Sequence, residues 1–263
     1  MNYRIAGNGP VVVLVHGFAE DGSVYDAQVE RLGDEFTVFV IDLPGCGKSG
    51  LIGNGTETDH ASTELMAEAV YEILKSGSVD SCTIIGHSMG GYVSLAFAEK
   101  YPELLKGLGL FHSSAFADTS EKIETRLKAI DHLNKYGTKS FLLTSIPNLF
   151  AEKFKKNNPG AVEQFIKKYT SFTPASLTGY YYAMINRPDR THVLRDYAKP
   201  ILFIIGEEDM AIPLPASLNQ CYLPKQSHLH ILPSTGHMGM IEEPAKTSTI
   251  LLDFCRITST IQP

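Results

Sequence analysis

Apolar residues cluster into short unbroken runs along the chain, with amphipathic stretches between most of them. Val11-Val12-Val13-Leu14-Val15 is β-branched and bounded by Pro10 and Gly17. A run of that length and kind reads as a strand buried on both faces. The same reading applies to Phe36-Thr37-Val38-Phe39-Val40-Ile41, Cys82-Thr83-Ile84-Ile85, Leu108-Gly109-Leu110-Phe111 and Ile201-Leu202-Phe203-Ile204-Ile205, and to a shorter run, Leu229-His230-Ile231-Leu232. Helical spacing recurs between them. Ala61 to Leu74 places Leu65, Ala69, Ile73 and Leu74 on one face, Met89 to Lys100 is small and apolar, and Ala245 to Cys255 carries Ile250, Leu251 and Phe254. Strands alternating with helices predict an α/β fold with a mostly parallel central sheet flanked by helices. Ligand sites in such sheets lie at the carboxyl ends of the strands.

The alternation stops between about Phe116 and Tyr197, where the pattern is purely helical. Asp118 with Glu121 resembles a capping box. Ile123, Leu127, Ile130 and Leu133 follow at helical spacing, and Gly137 is placed to end that helix. A second helix is expected from about Gly160 through Tyr169. A third has Thr173 as cap and Pro174 in its first turn, and stops before Pro188. The expected organisation is a core of residues 1–115 and 197–263, interrupted by a helical cap of residues 116–196. Its aromatics, from Phe141 to Tyr182, are expected mostly to pack cap against core, with some lining an apolar pocket.

Charge adds to this picture. The 263 residues carry a formal net charge of −6, which argues against nucleic acid as a partner. Asp118 to Tyr197 is net +5 and the remainder net −11. A basic cap over an acidic core would favour anionic substrates; the plainer reading makes Lys153, Lys155, Lys156, Lys167 and Lys168 solvated helix faces. The four cysteines, Cys46, Cys82, Cys221 and Cys255, are scattered without a Cys-x-x-Cys pair, and read as buried free thiols. Met1 to Gly7 lacks the apolar core of a secretory signal, and no apolar run is long enough to span a bilayer. A cytoplasmic protein without a membrane span is expected; oligomeric state is not readable.

Candidate chemistry begins at Gly86-His87-Ser88-Met89-Gly90, a Gly-x-Ser-x-Gly run that follows a predicted strand and opens a predicted helix. In that context the serine sits on a tight turn with its hydroxyl projecting from the sheet. A hydroxyl needs a base, and the base an orienting acid. His237 lies in the glycine-flanked loop after the last strand run. Asp209 lies in the loop after Ile201–Ile205, with Glu207 and Glu208 as rivals on position alone. Competing motifs are weaker. Gly45-Cys46-Gly47-Lys48-Ser49-Gly50 fits G-x-G-x-x-G, but Asn54 to Asp59 intervenes before any helix, and Asp42 replaces the first glycine a P-loop requires. His228 and His230 share a strand face without a third metal ligand. His16 reads as support for its loop. His87 reads as tuning the serine or simply packing, and His112 as lining the site without an assigned step.

Together these segments resemble the α/β-hydrolase superfamily in its lidded serine-hydrolase branch. Gly86 to Gly91 looks like the nucleophile elbow and His16-Gly17-Phe18 like the oxyanion loop. Asp42-Leu43-Pro44-Gly45-Cys46-Gly47-Lys48-Ser49 looks like the turn after the fourth strand. Gly206 to Pro213 looks like the acid loop, and Gly236-His237 with Glu243-Pro244 like the histidine loop. The resemblance selects Asp209 over its neighbours. It implies Ser88 as nucleophile, His237 as base, Asp209 as orienting acid, and the N–H groups of Phe18 and Met89 as oxyanion donors. No cofactor and no metal are implied. The start of the chain leaves little room for the family's opening antiparallel strands, so a shorter sheet edge is expected. The expected function is hydrolysis of a small to medium, partly apolar carboxylic ester. Amide, thioester or carbon–carbon bond cleavage, a lyase reaction, and a ligand receptor with weak turnover are the alternatives.

Overall fold

The computed structural model describes residues 1–50 and 62–261; the Asn54 to Asp59 stretch and Ala61 lie outside the described residues. Among the described residues the six apolar runs form β2 (Val11–Val15), β3 (Thr37–Ile41), β4 (Cys82–His87), β5 (Leu105–Phe111), β6 (Ile201–Gly206) and β7 (Ser227–Leu232), and a seventh strand, β1 (Tyr3–Ala6), precedes them. Their order is β1-β3-β2-β4-β5-β6-β7. Among the described residues only β1 pairs antiparallel, with β3. β1 forms this edge of the sheet. The expected α/β architecture holds: α1 (Asp26–Leu32) packs against α11 (Pro244–Ser259), and α2 (Thr63–Ser76) against α3 (Met89–Lys100).

Burial separates the strands. In β4 and β6 every residue is buried, because both lie inside the sheet. β7 is the far edge, and there Leu229 and Ile231 are exposed. The expectation that all six apolar runs are covered on both faces therefore fails at the edge strand, which has one neighbour fewer. His228 and His230 sit on this strand, and the His228 ring lies edge-on to Phe254. On α2 the buried stripe is Met66, Ala67, Val70, Ile73 and Leu74, while Leu65 is exposed. Ile73 and Leu74 are buried as expected, and in the first turns Met66, Ala67 and Val70 take the place of Leu65 and Ala69.

Between β5 and β6 the chain is helical: α4 (Ser120–Ser145), α5 (Glu152–Asn157), α6 (Ala161–Tyr169), α7 (Pro174–Asn186) and α8 (Thr191–Asp196). Thr119, not Asp118, caps α4, accepting from Lys122 N–H at 3.2 Å. Asp118 is instead spent on ion pairs with Arg126 and Arg187. Gly137, at φ 77° and ψ 169°, ends the first helical stretch of α4 as expected, and a second stretch begins at Thr138 across the kink. Ile130 and Leu133 are buried as expected; Leu127 is exposed. Many aromatics pack on one another within this segment, as Phe150 does with Phe154 and Phe165, and Phe165 with Tyr169. Tyr180 reaches out of it, donating to Pro44 O at 2.6 Å. The remaining helices are α9 (Leu214–Cys221) and the short α10 (Gly239–Glu242).

Candidate active site

Strand register brings the predicted residues together. Val15 of β2 pairs with Gly86 of β4, His87 with Phe111 of β5, and Gly206 of β6 with Leu232 of β7. The loops leaving these strands therefore share one rim. They carry His16-Gly17-Phe18, Ser88, His112, Asp209 and His237. Ser88 stands at φ 50°, ψ −115° between β4 and α3, outside the wells an L-residue prefers. Two glycines make the turn possible. A methyl on Gly86 would meet Gly90 O at 2.2 Å, and one on Gly90 would meet Val15 O at 2.2 Å. Only residues without a Cβ allow β4, α3 and β2 to approach this closely.

Ser88 and His237 line one cavity of about 160 Å³, with Phe18, Phe141, Tyr181 and Met184 among its walls. Behind His237, its Nδ1 lies 2.8 Å from Asp209 Oδ2. Asp209 Oδ1 accepts from the Ala211 and Ile212 N–H groups, each at 2.8 Å. Burial opposes charge on Asp209, but His237 beside it and these N–H donors hold its carboxyl well below the usual carboxylate range. Glu207 is turned aside, accepting from Ser234 N–H, which separates Asp209 from this rival. His112, Asp209 and His237 offer polar atoms within 4.8 Å of one another. His237 Nδ1 and Asp209 satisfy each other and the backbone, whereas His112 Nε2 is buried without a hydrogen-bond partner among the described residues. His112 Nδ1 accepts from Gly206 N–H at 3.0 Å, and burial pushes its ring down to about 4, so His112 is a neutral ring packed behind Asp209 and, against expectation, does not line the cavity.

The two other histidines have definite jobs. His16 is buried, with Nε2 accepting from Leu43 N–H at 2.9 Å and Nδ1 donating to Gly17 O at 2.8 Å. It ties the Gly17-Phe18 loop to the turn after β3. That turn closes on itself, with Gly45 N–H donating to Gly50 O and Lys48 N–H to Asp42, so Gly45–Gly50 opens no helix. His87 is buried with Nδ1 2.5 Å from Glu20 Oε1 and Nε2 2.9 Å from His237 O. Both partners are acceptors, so the ring carries two protons and a charge. Burial works against that charge, yet Glu20 raises the His87 pKa, and His87 lowers that of Glu20 despite the same burial. Glu20 also accepts from Gly17 N–H. One buried ion pair thereby links the Gly17 loop, the Ser88 turn and the His237 loop.

Glu20 is absent from the sequence reading, as is Glu242, whose carboxylate accepts from Gly236, Met238 and Ala151 N–H groups at 2.9–3.1 Å. The signal available for Glu20 was a carboxylate three residues past Gly17, in the loop that leaves β2. Glu242 carried no comparable signal, because its partners lie on two separate loops.

Residues 12–249 match the alpha/beta hydrolase family, and the chain belongs to that family and is a hydrolase. A thermophilic esterase from Thermogutta terrifontis, solved with malate bound, is 31% identical with a TM-score of 0.91, covering 98% of this chain and 94% of its own. A 2-(acetamidomethylene)succinate hydrolase of Mesorhizobium japonicum is 23% identical, covering 97% of this chain and 91% of its own. A 2-hydroxy-6-oxononadienedioate/2-hydroxy-6-oxononatrienedioate hydrolase of Paraburkholderia phymatum is 26% identical, covering 97% and 90%. Among the described residues no helix is long and apolar enough to cross a membrane.

Proposed function

We propose that this hydrolase cleaves a carboxylic ester of a small to medium, partly apolar substrate through Ser88, His237 and Asp209, with residues 116–196 acting as a cap over the site. The observation that carries the reading is the strained Ser88 turn opening into the same cavity as His237, whose Nδ1 is 2.8 Å from the buried Asp209 carboxylate. Ser88 Oγ attacks the ester carbonyl carbon as His237 Nε2 takes its proton. Asp209 fixes the tautomer and stabilises the imidazolium that forms. The developing oxyanion is held by the N–H groups of Phe18, which follows the His16-anchored turn, and Met89, in the first turn of α3. First-turn N–H groups have no partner within their helix, and the helix amino end adds positive potential. His237 then protonates the leaving alcohol, and water releases the acyl group by the same steps in reverse.

The similarity to an esterase supports an ester over an amide or carbon–carbon bond. The small cavity suits a short acyl or alcohol group. Four buried, unpaired cysteines fit a reducing, cytoplasmic setting. The test is labelling with a fluorophosphonate probe together with turnover of short-chain aryl esters. Ser88 is expected to be the labelled residue, and Ser88→Ala and His237→Ala proteins to lose turnover. Labelling elsewhere in folded protein, or equal rates in the His237→Ala protein, would sink the assignment. Labelling with single turnover only would favour the receptor alternative.

A further inference from the structure

The walls of the cavity differ in how fully their charges are satisfied. Glu20 and His87 pair with each other, and His237 with Asp209. The two cations contributed by α4, Lys122 and Arg126, are not balanced in this way, although both line the cavity with Ser88. Lys122 Nζ has three N–H donors, and its hydrogen-bond acceptor among the described residues is Ala211 O at 3.0 Å. Arg126 spends Nε, and weakly Nη2, on Asp118. Its Nη1 meets Met184 Sδ at 3.1 Å, and a thioether is a poor acceptor for a charged donor. Asp118 also serves Arg187 at 2.8 Å, so one carboxylate answers two guanidinium groups and Lys122 has none. Including Asp209, this neighbourhood holds the cations Lys122, Arg126 and Arg187 against the anions Asp118 and Asp209. One positive charge is left over on the wall of the cavity.

We propose that Lys122 and Arg126 form a carboxylate-binding arm, and that the natural substrate is an ester bearing a free carboxylate, as in a monoester of a short dicarboxylic acid. Lys122 is clipped to Ala211, whose own N–H holds Asp209, so the ammonium is fixed beside the reacting loops. The Lys122 ammonium and the Arg126 Nη1–H supply donors for the two carboxylate oxygens. The apolar remainder of the substrate lies against Phe18, Phe141 and Tyr181. The surface lysines Lys153, Lys155, Lys156, Lys167 and Lys168 line no part of this cavity. The anion preference therefore resides in two residues, not in the overall charge of the segment.

The proposal rests on the ester reading only for the bond that is broken; binding of the anion can be measured without chemistry. In the Ser88→Ala protein, monomethyl succinate and methyl butyrate are compared by titration calorimetry. The anion is expected to bind at least ~10-fold tighter, about 1.4 kcal/mol. Lys122→Gln should remove most of that preference, Lys122→Arg restore it, and the exposed Lys128→Gln leave it in place. Equal or weaker binding of monomethyl succinate, or a preference untouched in Lys122→Gln, overturns the proposal. Fluorophosphonate labelling reports separately on the ester reading. Anion preference without Ser88 labelling rejects the ester chemistry and keeps the arm; labelling with no preference does the reverse.

Discussion

On the sheet side of the cavity, Asp209 takes three donors and the Glu20–His87 pair is closed on both sides by backbone groups. On the α4 side, a guanidinium N–H faces a thioether and an ammonium has a single carbonyl. The carboxylates and rings of the first wall are partnered as in a finished core, with His112 Nε2 behind them the exception. The second has capacity to spare. The chemistry of such a site needs fixed geometry, so its charges are answered within the protein. Recognition needs an incomplete surface that the substrate completes.

Substitutions on the two walls should therefore differ in kind. The largest effect belongs to Ser88→Ala, expected to lower aryl-ester turnover about 10⁶-fold, read by stopped assay against a buffer control. Asp209→Asn should cost about 10⁴-fold, by letting the imidazole take the wrong tautomer. A loss below tenfold would show that the sheet wall is not organised around this carboxylate. Glu20→Gln should act on the fold, destabilising it by about 3–5 kcal/mol, because it strands a buried imidazolium. Urea unfolding measures this, and pH gives the sign. The raised His87 pKa contributes stability fully below its ordinary 6.5, lost as pH rises through the folded value. The lowered Glu20 pKa contributes above its ordinary 4.5, lost as pH falls through its own folded value. The gap between wild type and Glu20→Gln should be widest at pH 4.5–6.5 and narrow in alkali. A pH-independent gap would mean that the pair is not ionic. The smallest effect is on the α4 wall, where Lys122→Gln should change the anion-to-neutral ratio about tenfold with little change in unfolding free energy.

The same contrast explains what the amino-acid order revealed. Interior strands announce themselves because a strand covered on both faces must be apolar throughout, as β4 and β6 are. The Ser88 turn is legible because it follows such a strand at a position where the chain must bend; Asp209 follows one too, but position alone leaves Glu207 and Glu208 as rivals, and His237 follows the edge strand β7. β7 was overread as fully covered, since an apolar run does not state how many neighbours it has. Asp118 was read as a local cap, but its partners Arg126 and Arg187 lie 8 and 69 positions away, and only folding brings them together. Glu20 and Glu242 escaped for the same reason. Lys122 and Arg126 looked like two more charges in a basic stretch, because nothing in their local order marks which helix face the cavity meets.

The four thiols have a consequence beyond their packing. Cys46 follows β3, Cys82 begins β4, Cys221 ends α9 and Cys255 lies in α11, and all four are buried. Burial also raises each thiol pKa, to about 11 for Cys221 and about 12 for Cys82, so little reactive thiolate exists in the native state. The protein thus carries four clocks in different parts of its interior, each starting only when its own neighbourhood opens. The order in which they react with an alkylating reagent under mild denaturant would time the dismantling of the molecule, from whichever layer loosens first to the centre of the sheet.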